Sequence, residues 1–533
     1  MCATATTSNG SPAVLPPFAY EREPGAASRA LPREWRRRKP EATALHRVVR
    51  GHLETLLDEA RRKDDAGSGY PRFVEHEFRR YVDCGLLSRG FSRLRCPECG
   101  HERLVAFSCK GRLCPACQAR RTADIAADLV DRVLPDVPYR QWVLTFPWPL
   151  RFKLSVDGAF LSAMLGAFLR TVFAWQRLRG RRLGVRGEAG SVTFIQRFGG
   201  VLNVNPHFHV PMADGLFVSD PGGGVATFVA LPPPTDEDIL WLATRLAARL
   251  GALARRWMEK DADRWPDADR ALVHAAVAEG LRPTGVAVVG EDGYKPLCAR
   301  VDGYSLHAAR TVEAGDRRGL ERLCRYGLRA PFSLDRLSLT DDGQVRYRLY
   351  RPWPGPGGRT EILLDPLAFL RRLAALVPAP YLNMVRYHGV FANRSALRPL
   401  LPPPPPRWRP GEPFPVPAPA PDPGPVAPGP PAPVRRRSGR GSWASLLRRV
   451  FTVDALACPR CSTPMVVLAF LTDPAVVHKI LVHLRLPADP PAVAPARTMD
   501  EVLDFGEGDA QEDDGNPRAR SPRYRPWPAR APP

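Results

Sequence analysis

Lysine is scarce in this chain: of 77 basic residues only 7 are lysine and 70 are arginine. A GC-rich coding bias accounts for that ratio, but not for a second shortage. Acidic residues number only 55, which leaves a formal net charge of +22. An excess this large favours a nucleic-acid partner over a small molecule. Arginine suits phosphate through its planar, two-pronged donor geometry. No uninterrupted apolar run reaches the length of a membrane span. Residues 1–32 lack the apolar stretch, basic flank and cleavage site of a secretory leader. The expectation is a cytoplasmic protein with reduced cysteines, no membrane contact and no small-molecule cofactor.

A length of 533 residues allows two to four domains. Residues 1–40 are rich in Pro, Ala, Ser and Arg, and read as a disordered basic arm. Residues 41–134 read as a helical, metal-binding domain, with apolar periodicity predicting helices over 44–62 and 72–82. Residues 135–400 form the largest unit. Strands are expected at 139–146, 192–198, 203–210 and 305–308, and helices at 158–179, 235–260 and 316–329. Residues 401–440 are a linker, stiff because 17 of the 32 residues from 402 to 433 are proline. Residues 441–487 read as a small C-terminal module, and residues 488–533 as a disordered tail.

Eleven cysteines are present, and they cluster. Cys96-Pro97-Glu98-Cys99 and Cys114-Pro115-Ala116-Cys117 are two knuckles separated by 14 residues. Four thiolates at this spacing can surround zinc tetrahedrally and leave no open position, so a structural zinc is expected at Cys96, Cys99, Cys114 and Cys117. Cys84 and Cys109 are left over, and Cys109 lies near enough to compete as a ligand. Cys458-Pro459-Arg460-Cys461 is half a site, which His478 or His483 can complete; two simply packed cysteines are the equal alternative.

His207 and His209 are two apart on an expected strand, so both imidazoles project from one face while Phe208 points into a core. Such a pair can hold a divalent cation if a third polar group arrives. Gln196, on the preceding strand, is the nearest candidate, and His307 is its rival. Isolated, a His-Phe-His triplet more often just lines a sheet. Tyr326 is expected near the end of its helix, with Arg322, Arg325 and Arg329 around it and Leu320, Leu323 and Cys324 on the packed face. Those arginines can favour a phenolate and grip DNA phosphates. Tyr387, between Arg386 and His388, is the competing tyrosine.

Together these parts resemble rolling-circle transposases of the His-hydrophobic-His (HUH) type, in the insertion-sequence-ninety-one-like family. Three segments carry the likeness: Phe107 to Cys117; Gln196-Arg197-Phe198-Gly199-Gly200 through His207-Phe208-His209 to Asp214-Gly215; and Leu323-Cys324-Arg325-Tyr326 with Arg386-Tyr387-His388-Gly389-Val390. Founding members carry two tyrosines four apart. Arg322 occupies the first position here, so the likeness is to the single-tyrosine branch. It implies an α+β fold whose nuclease domain, residues 135–400, is an antiparallel sheet with helices on one face. It also implies a bacterial enzyme that nicks and rejoins single-stranded DNA at element ends. Tyr326 would be the nucleophile, with catalytic Mg²⁺ or Mn²⁺ at His207, His209 and Gln196. Rival readings are a plasmid replication initiator or relaxase, and a zinc-dependent DNA-binding regulator without catalysis.

Overall fold

The structure is a computed structural model and describes residues 37–63, 67–260, 295–352, 358–405, 449 and 455–497. The first 36 residues, most of the expected linker, the helix expected over 443–450 (Arg449 apart) and residues from 498 onward lie outside these.

Helices α1 (Ala44–Lys63) and α2 (Arg72–Val82) form where the periodicity places them. Leu45, Val48, Val49, Leu53, Leu56 and Leu57 make one stripe, and all are buried. Strands β1 (Phe91–Arg95) and β2 (Glu102–Ala106) pair as an antiparallel hairpin that the sequence reading missed. Its tip is closed by Cys96 N–H donating to His101 O at 2.8 Å, and its base by Gly85 N–H donating to Phe107 O at 2.9 Å. Helix α3 (Pro115–Arg132) opens with proline, whose missing N–H would have had no helical partner.

The larger unit is built from β3 (Tyr139–Thr145), helices α4 (Trp148–Val156) and α5 (Gly158–Arg182), β4 (Gly190–Phe198) and β5 (Val204–Ala213). A ribbon of β6 (Gly215–Val218) and β7 (Thr227–Ala230), helix α6 (Asp236–Lys260), β8 (Cys298–Val301) and β9 (Tyr304–Val312) follow. Then come helix α7 (Arg317–Gly327), β10 (Leu337–Leu339), β11 (Val345–Arg348), β12 (Glu361–Leu364), helix α8 (Pro366–Leu376) and β13 (Val385–Gly389). Six of these strands form one antiparallel sheet in the order β13-β4-β5-β3-β9-β8.

Alternation along the strands gives this sheet two faces. Trp142, Leu144, Ile195, Phe208, Val210 and Leu306 face α4, α5 and α6. Asp157 caps α5 by accepting from Ala159 N–H and Phe160 N–H, and Thr235 exchanges reciprocal bonds with Asp238 at the start of α6. Among the described residues α5 alone is long and apolar enough to cross a membrane; its Phe160, Met164, Phe168 and Val172 are instead fully buried against the sheet. The second face, which carries the histidines, is covered in part by α3 and α7. Val192 and Phe194 pack there against Leu129 and Val130 of α3 and Leu320, Leu323 and Cys324 of α7.

The N-terminal helices do not close a core of their own. They share one with Phe332, Tyr347, Leu367, Leu370 and Leu373, contributed by the β10-β11-β12 sheet, α8 and the loop after α7. The C-terminal segment is likewise not a separate module. Its strand β14 (Val466–Leu471) pairs antiparallel with β1, from Phe91 opposite Leu471 to Arg95 opposite Val466, and helix α9 (Pro474–His483) sets Val477 and Leu481 against Leu87 and Phe91. Arg103 of β2 donates to Ala455 O at 2.8 Å and Ala457 O at 3.5 Å, which ties this segment to the hairpin.

Candidate active site and cysteine clusters

His207 and His209 occupy adjacent same-face positions on β5, with ring centroids 4.9 Å apart. Gln196 lies directly opposite His207 on β4, so it shares that face. His207 Nδ1 is 2.7 Å from Asn205 O. A carbonyl can only accept, so the proton sits on Nδ1 and the Nε2 lone pair is left for another partner. Gln141 Nε2 is 2.6 Å from His209 Nδ1, so as placed the amide donates and the ring's proton sits on Nε2; exchanging the amide's N and O, which are alike in size, moves that proton to Nδ1 and frees Nε2 for a cation. Burial holds both rings neutral: His207 is lowered to about 4, and His209 well below its usual value, chiefly by desolvation, with His207 and Arg329 adding repulsion at His209.

Three buried polar atoms on this face of β4 and β5 have no hydrogen-bond partner: His209 Nε2, Gln196 Oε1 and Asn205 Oδ1. Neutral imidazole nitrogens and an amide oxygen are a donor set that fits a hard or borderline divalent cation. The rival His307 is in register with Val143, which is in register with His209. Two inter-strand steps put it about 10 Å from His209, whereas Gln196 is one step from His207.

Tyr326 lies on the last turn of α7, and its ring meets the His209 ring edge-on at 5.4 Å and 87°. Gln196 Nε2 donates to Tyr326 O at 2.8 Å and Gly327 O at 3.0 Å, tying this helix end to the sheet. Gly327 is required by a close approach: a Cβ there would fall 2.3 Å from Phe194 Cδ2. Arg329 lies over the Tyr326 ring at 4.7 Å and near Phe198 at 5.3 Å. The Nε atoms of Arg325 and Arg329 are buried without a hydrogen-bond partner, while Arg322 is half exposed, 3.9 Å from Asp316. Tyr387 is on the same face but opposite Val192, four residues along β4 from Gln196, or about 13 Å at the rise of a strand. Its ring sits under Arg398, 5.6 Å from the guanidinium, and burial raises its pKa.

The cysteines sort differently from the expectation. Cys96, Cys99, Cys114 and Cys117 do not meet. The first pair sits at the tip of the β1–β2 hairpin and the second beyond its base, and five strand residues span about 17 Å. Cys114 and Cys117 are joined by the two cysteines left over, Cys84 and Cys109, in one fully buried cluster. Its Sγ atoms are 3.6 Å apart for Cys84 and Cys117, 3.7 Å for Cys84 and Cys114, and 3.6 Å for Cys109 and Cys117. A tetrahedron with Zn–S bonds of about 2.3 Å has edges of about 3.8 Å, which these distances match. Cys84 Sγ accepts from Cys109 N–H and Cys109 Sγ from Gly111 N–H, bonds that favour thiolates. Cys96 and Cys99 instead meet Cys458 and Cys461. Neither histidine completes that knuckle: His478 is half exposed, 3.7 Å from Asp489. The signal available in the sequence was arithmetic, since Cys84 and Cys109 with three knuckles make eight thiols, enough for two tetrahedral sets.

Two family models match the chain without overlap and together span more than half of it. One, described as "Putative transposase", covers residues 190–398. The other, described as "Transposase zinc-binding domain", covers residues 53–146. A curated relative, "Putative transposase y4qJ" of Sinorhizobium fredii, is 25% identical over 319 residues, which is 58% of this chain and 72% of the relative. No solved structure matches. The first model spans β4, the histidine strand, the tyrosine helix and β13, and the second spans α2, the β1–β2 hairpin and the buried cysteine cluster, so the chain belongs to the insertion-sequence-ninety-one-like transposase family.

Proposed function

We propose that this transposase nicks and rejoins single-stranded DNA at element ends through a 5′-phosphotyrosine on Tyr326, in rolling-circle transposition in the bacterial cytoplasm. The observation that carries the reading is the Tyr326 ring against His209, beside three orphaned buried polar atoms on the same sheet face. His207, His209 and Gln196 would hold Mg²⁺ or Mn²⁺, which supplies polarisation of a non-bridging phosphate oxygen.

The chain's own groups do the rest. Tyr326 Oη attacks phosphorus, the O–P bond forms, and the bond to the 3′-oxygen breaks, releasing a 3′-hydroxyl once that oxygen takes up the phenol's proton. The covalent intermediate conserves bond energy, so resealing by a 3′-hydroxyl needs no nucleotide cofactor. Arg329, 4.7 Å from the Tyr326 ring, and Arg325 offer positive charge to the phosphate under attack. Arg322, more exposed, contributes backbone affinity. The cluster of Cys84, Cys109, Cys114 and Cys117 holds a structural zinc, because four thiolates close the coordination shell.

The test is incubation of the full chain with a labelled single-stranded library and Mn²⁺, followed by mapping of the adducted peptide. Tyr326→Phe should lose the adduct and keep DNA binding within a few fold, since one hydroxyl is removed and the arginines remain. An adduct on Tyr387, or one that survives Tyr326→Phe, would show the wrong tyrosine has been chosen. Metal-independent binding with no cleavage of any strand would favour the non-catalytic regulator.

A further inference from the structure

The knuckle at the tip of the β1–β2 hairpin lies inside the matched zinc-binding domain, yet its partners come from outside that domain and about 360 residues later. We propose that Cys96, Cys99, Cys458 and Cys461 bind a second structural zinc, a clasp that ties the C-terminal segment to the N-terminal module. Cys96 Sγ is 3.3 Å from Cys461 Sγ, Cys99 Sγ is 3.5 Å from Cys458 Sγ, and Cys461 Sγ is 3.6 Å from Cys99 Sγ. These distances approach the edge of a zinc-thiolate tetrahedron, about 3.8 Å, and lie far beyond a disulfide's length of about 2 Å.

The two knuckles are also built alike. In Cys96-Pro97-Glu98-Cys99-Gly100 the fifth residue's N–H donates to the first residue's carbonyl at 3.2 Å, and Gly100 has φ +69°. In Cys458-Pro459-Arg460-Cys461-Ser462 the same bond is 2.8 Å, and Ser462 has φ +61°. A left-handed backbone is natural for glycine but costs a serine about 1 kcal/mol. Its adoption by Ser462 indicates that the surroundings impose this turn. Around the thiols, β14 pairs with β1, Leu94 and Met465 pack beside Cys96 and Cys458, and Arg103 binds two carbonyls of the incoming chain. The geometry is that of two half-sites held face to face.

The clasp differs from the buried cluster in access, for Cys99 and Cys461 are exposed while all four thiols of the other cluster are buried. A chelator should therefore strip the clasp first. The test is zinc content of the full chain. Wild type should hold two zinc ions per chain and lose them in two kinetic phases on chelation. Cys458→Ser/Cys461→Ser should hold one and lose it in the slow phase only. Cys461→His, which keeps a ligand, should restore the second ion if the double variant's loss is one of coordination rather than folding. One zinc in wild type, or two in the double serine variant, would overturn the proposal. So would a wild-type mass two hydrogens lower with the loss mapped to these cysteines, which would make the clasp a disulfide.

Discussion

Gln196 gives the sharpest test of the site, because its two amide atoms do different work. Nε2 donates to the Tyr326 and Gly327 carbonyls at 2.8 and 3.0 Å, while Oε1 is buried and unpartnered. Gln196→Leu keeps the volume and removes both atoms. Gln196→Glu keeps an oxygen and removes the donors. Each lost hydrogen bond costs about 1 kcal/mol net, so without cation Gln196→Leu should lose about 2 kcal/mol of stability and Gln196→Glu several, because its buried carboxylate also faces two carbonyl oxygens. They should then part company. Thermal unfolding, measured with and without Mn²⁺, should show cation-dependent stabilisation in wild type, at least as much in Gln196→Glu, and little in Gln196→Leu. Nicking should fall in both, because both loosen the end of the helix that presents the tyrosine, and further in Gln196→Leu. Full Mn²⁺ stabilisation in Gln196→Leu would make Gln196 an anchor only and return the third-ligand position to His307 or another group. Unchanged stability in both variants would refute the anchoring role as well.

Cys109→Ser and Cys114→Ser should each lose the slowly chelated zinc and unfold the α1–α2 region, read by zinc content and circular dichroism; retention of both ions in Cys109→Ser would remove Cys109 from the ligand set. His388 is lowered to about 4, mainly by burial with Arg386 adding repulsion. Since its folded pKa lies below the unfolded value of about 6.5, it stays neutral while the unfolded chain takes up a proton. Stability should therefore fall as pH drops from about 6.5 to about 4, by at most about 3 kcal/mol, and His388→Asn should flatten that part of a pH series of unfolding midpoints. Gly327→Ala forces a Cβ into Phe194 and should cost about 1–3 kcal/mol while slowing adduct formation more than it weakens DNA binding. Equal nicking rates with and without that methyl would show that the helix end tolerates displacement.

What could be read from the chain was what local periodicity carries. The stripes of α1, α2, α5 and α6 are long and unambiguous, and the alternation through His207-Phe208-His209 put both rings on one face with no tertiary information. No helix was expected between the strand at 139–146 and the helix at 158–179, yet proline near a helix start is compatible with its fixed φ, and α4 begins at Trp148 with Pro149 in its first turn. β1 and β2 are short, half exposed and punctuated by knuckle residues, so their pattern was too weak to see. The missed hairpin explains the misassigned zinc ligands. Spacing alone makes Cys96 to Cys117 look like one site, and only the hairpin's length separates its two ends. The partners Cys458 and Cys461 were unreachable by spacing, because sequence separation says nothing about which half-sites meet.

Helix α7 shows why the tyrosine's position is a property of the whole fold. Eleven residues are too few to hold a helix in water, where isolated helices need about 12–15 even with favourable composition. Its N-terminus is capped by Asp316, whose carboxylate accepts from Gly319 N–H at 2.7 Å. Its apolar side is buried against α3 and the sheet, its last carbonyls are held by Gln196, and Gly327 lets it approach Phe194. On the remaining side Glu321 and Asp131 of α3 are two buried carboxylates that would repel each other. Arg449 bridges them, at 2.6 and 2.9 Å to Glu321 and 2.7 and 2.9 Å to Asp131. Arg449 precedes by six residues Ala455, whose carbonyl Arg103 of the hairpin binds. The segment that reaches the second cysteine cluster is thus the same one that neutralises the flank of the tyrosine helix. Burying that pair of carboxylates is tolerable only while the C-terminal segment is in place, since an unpaired buried charge costs several kcal/mol. Loss of the clasp would therefore be felt at Tyr326 through charge balance.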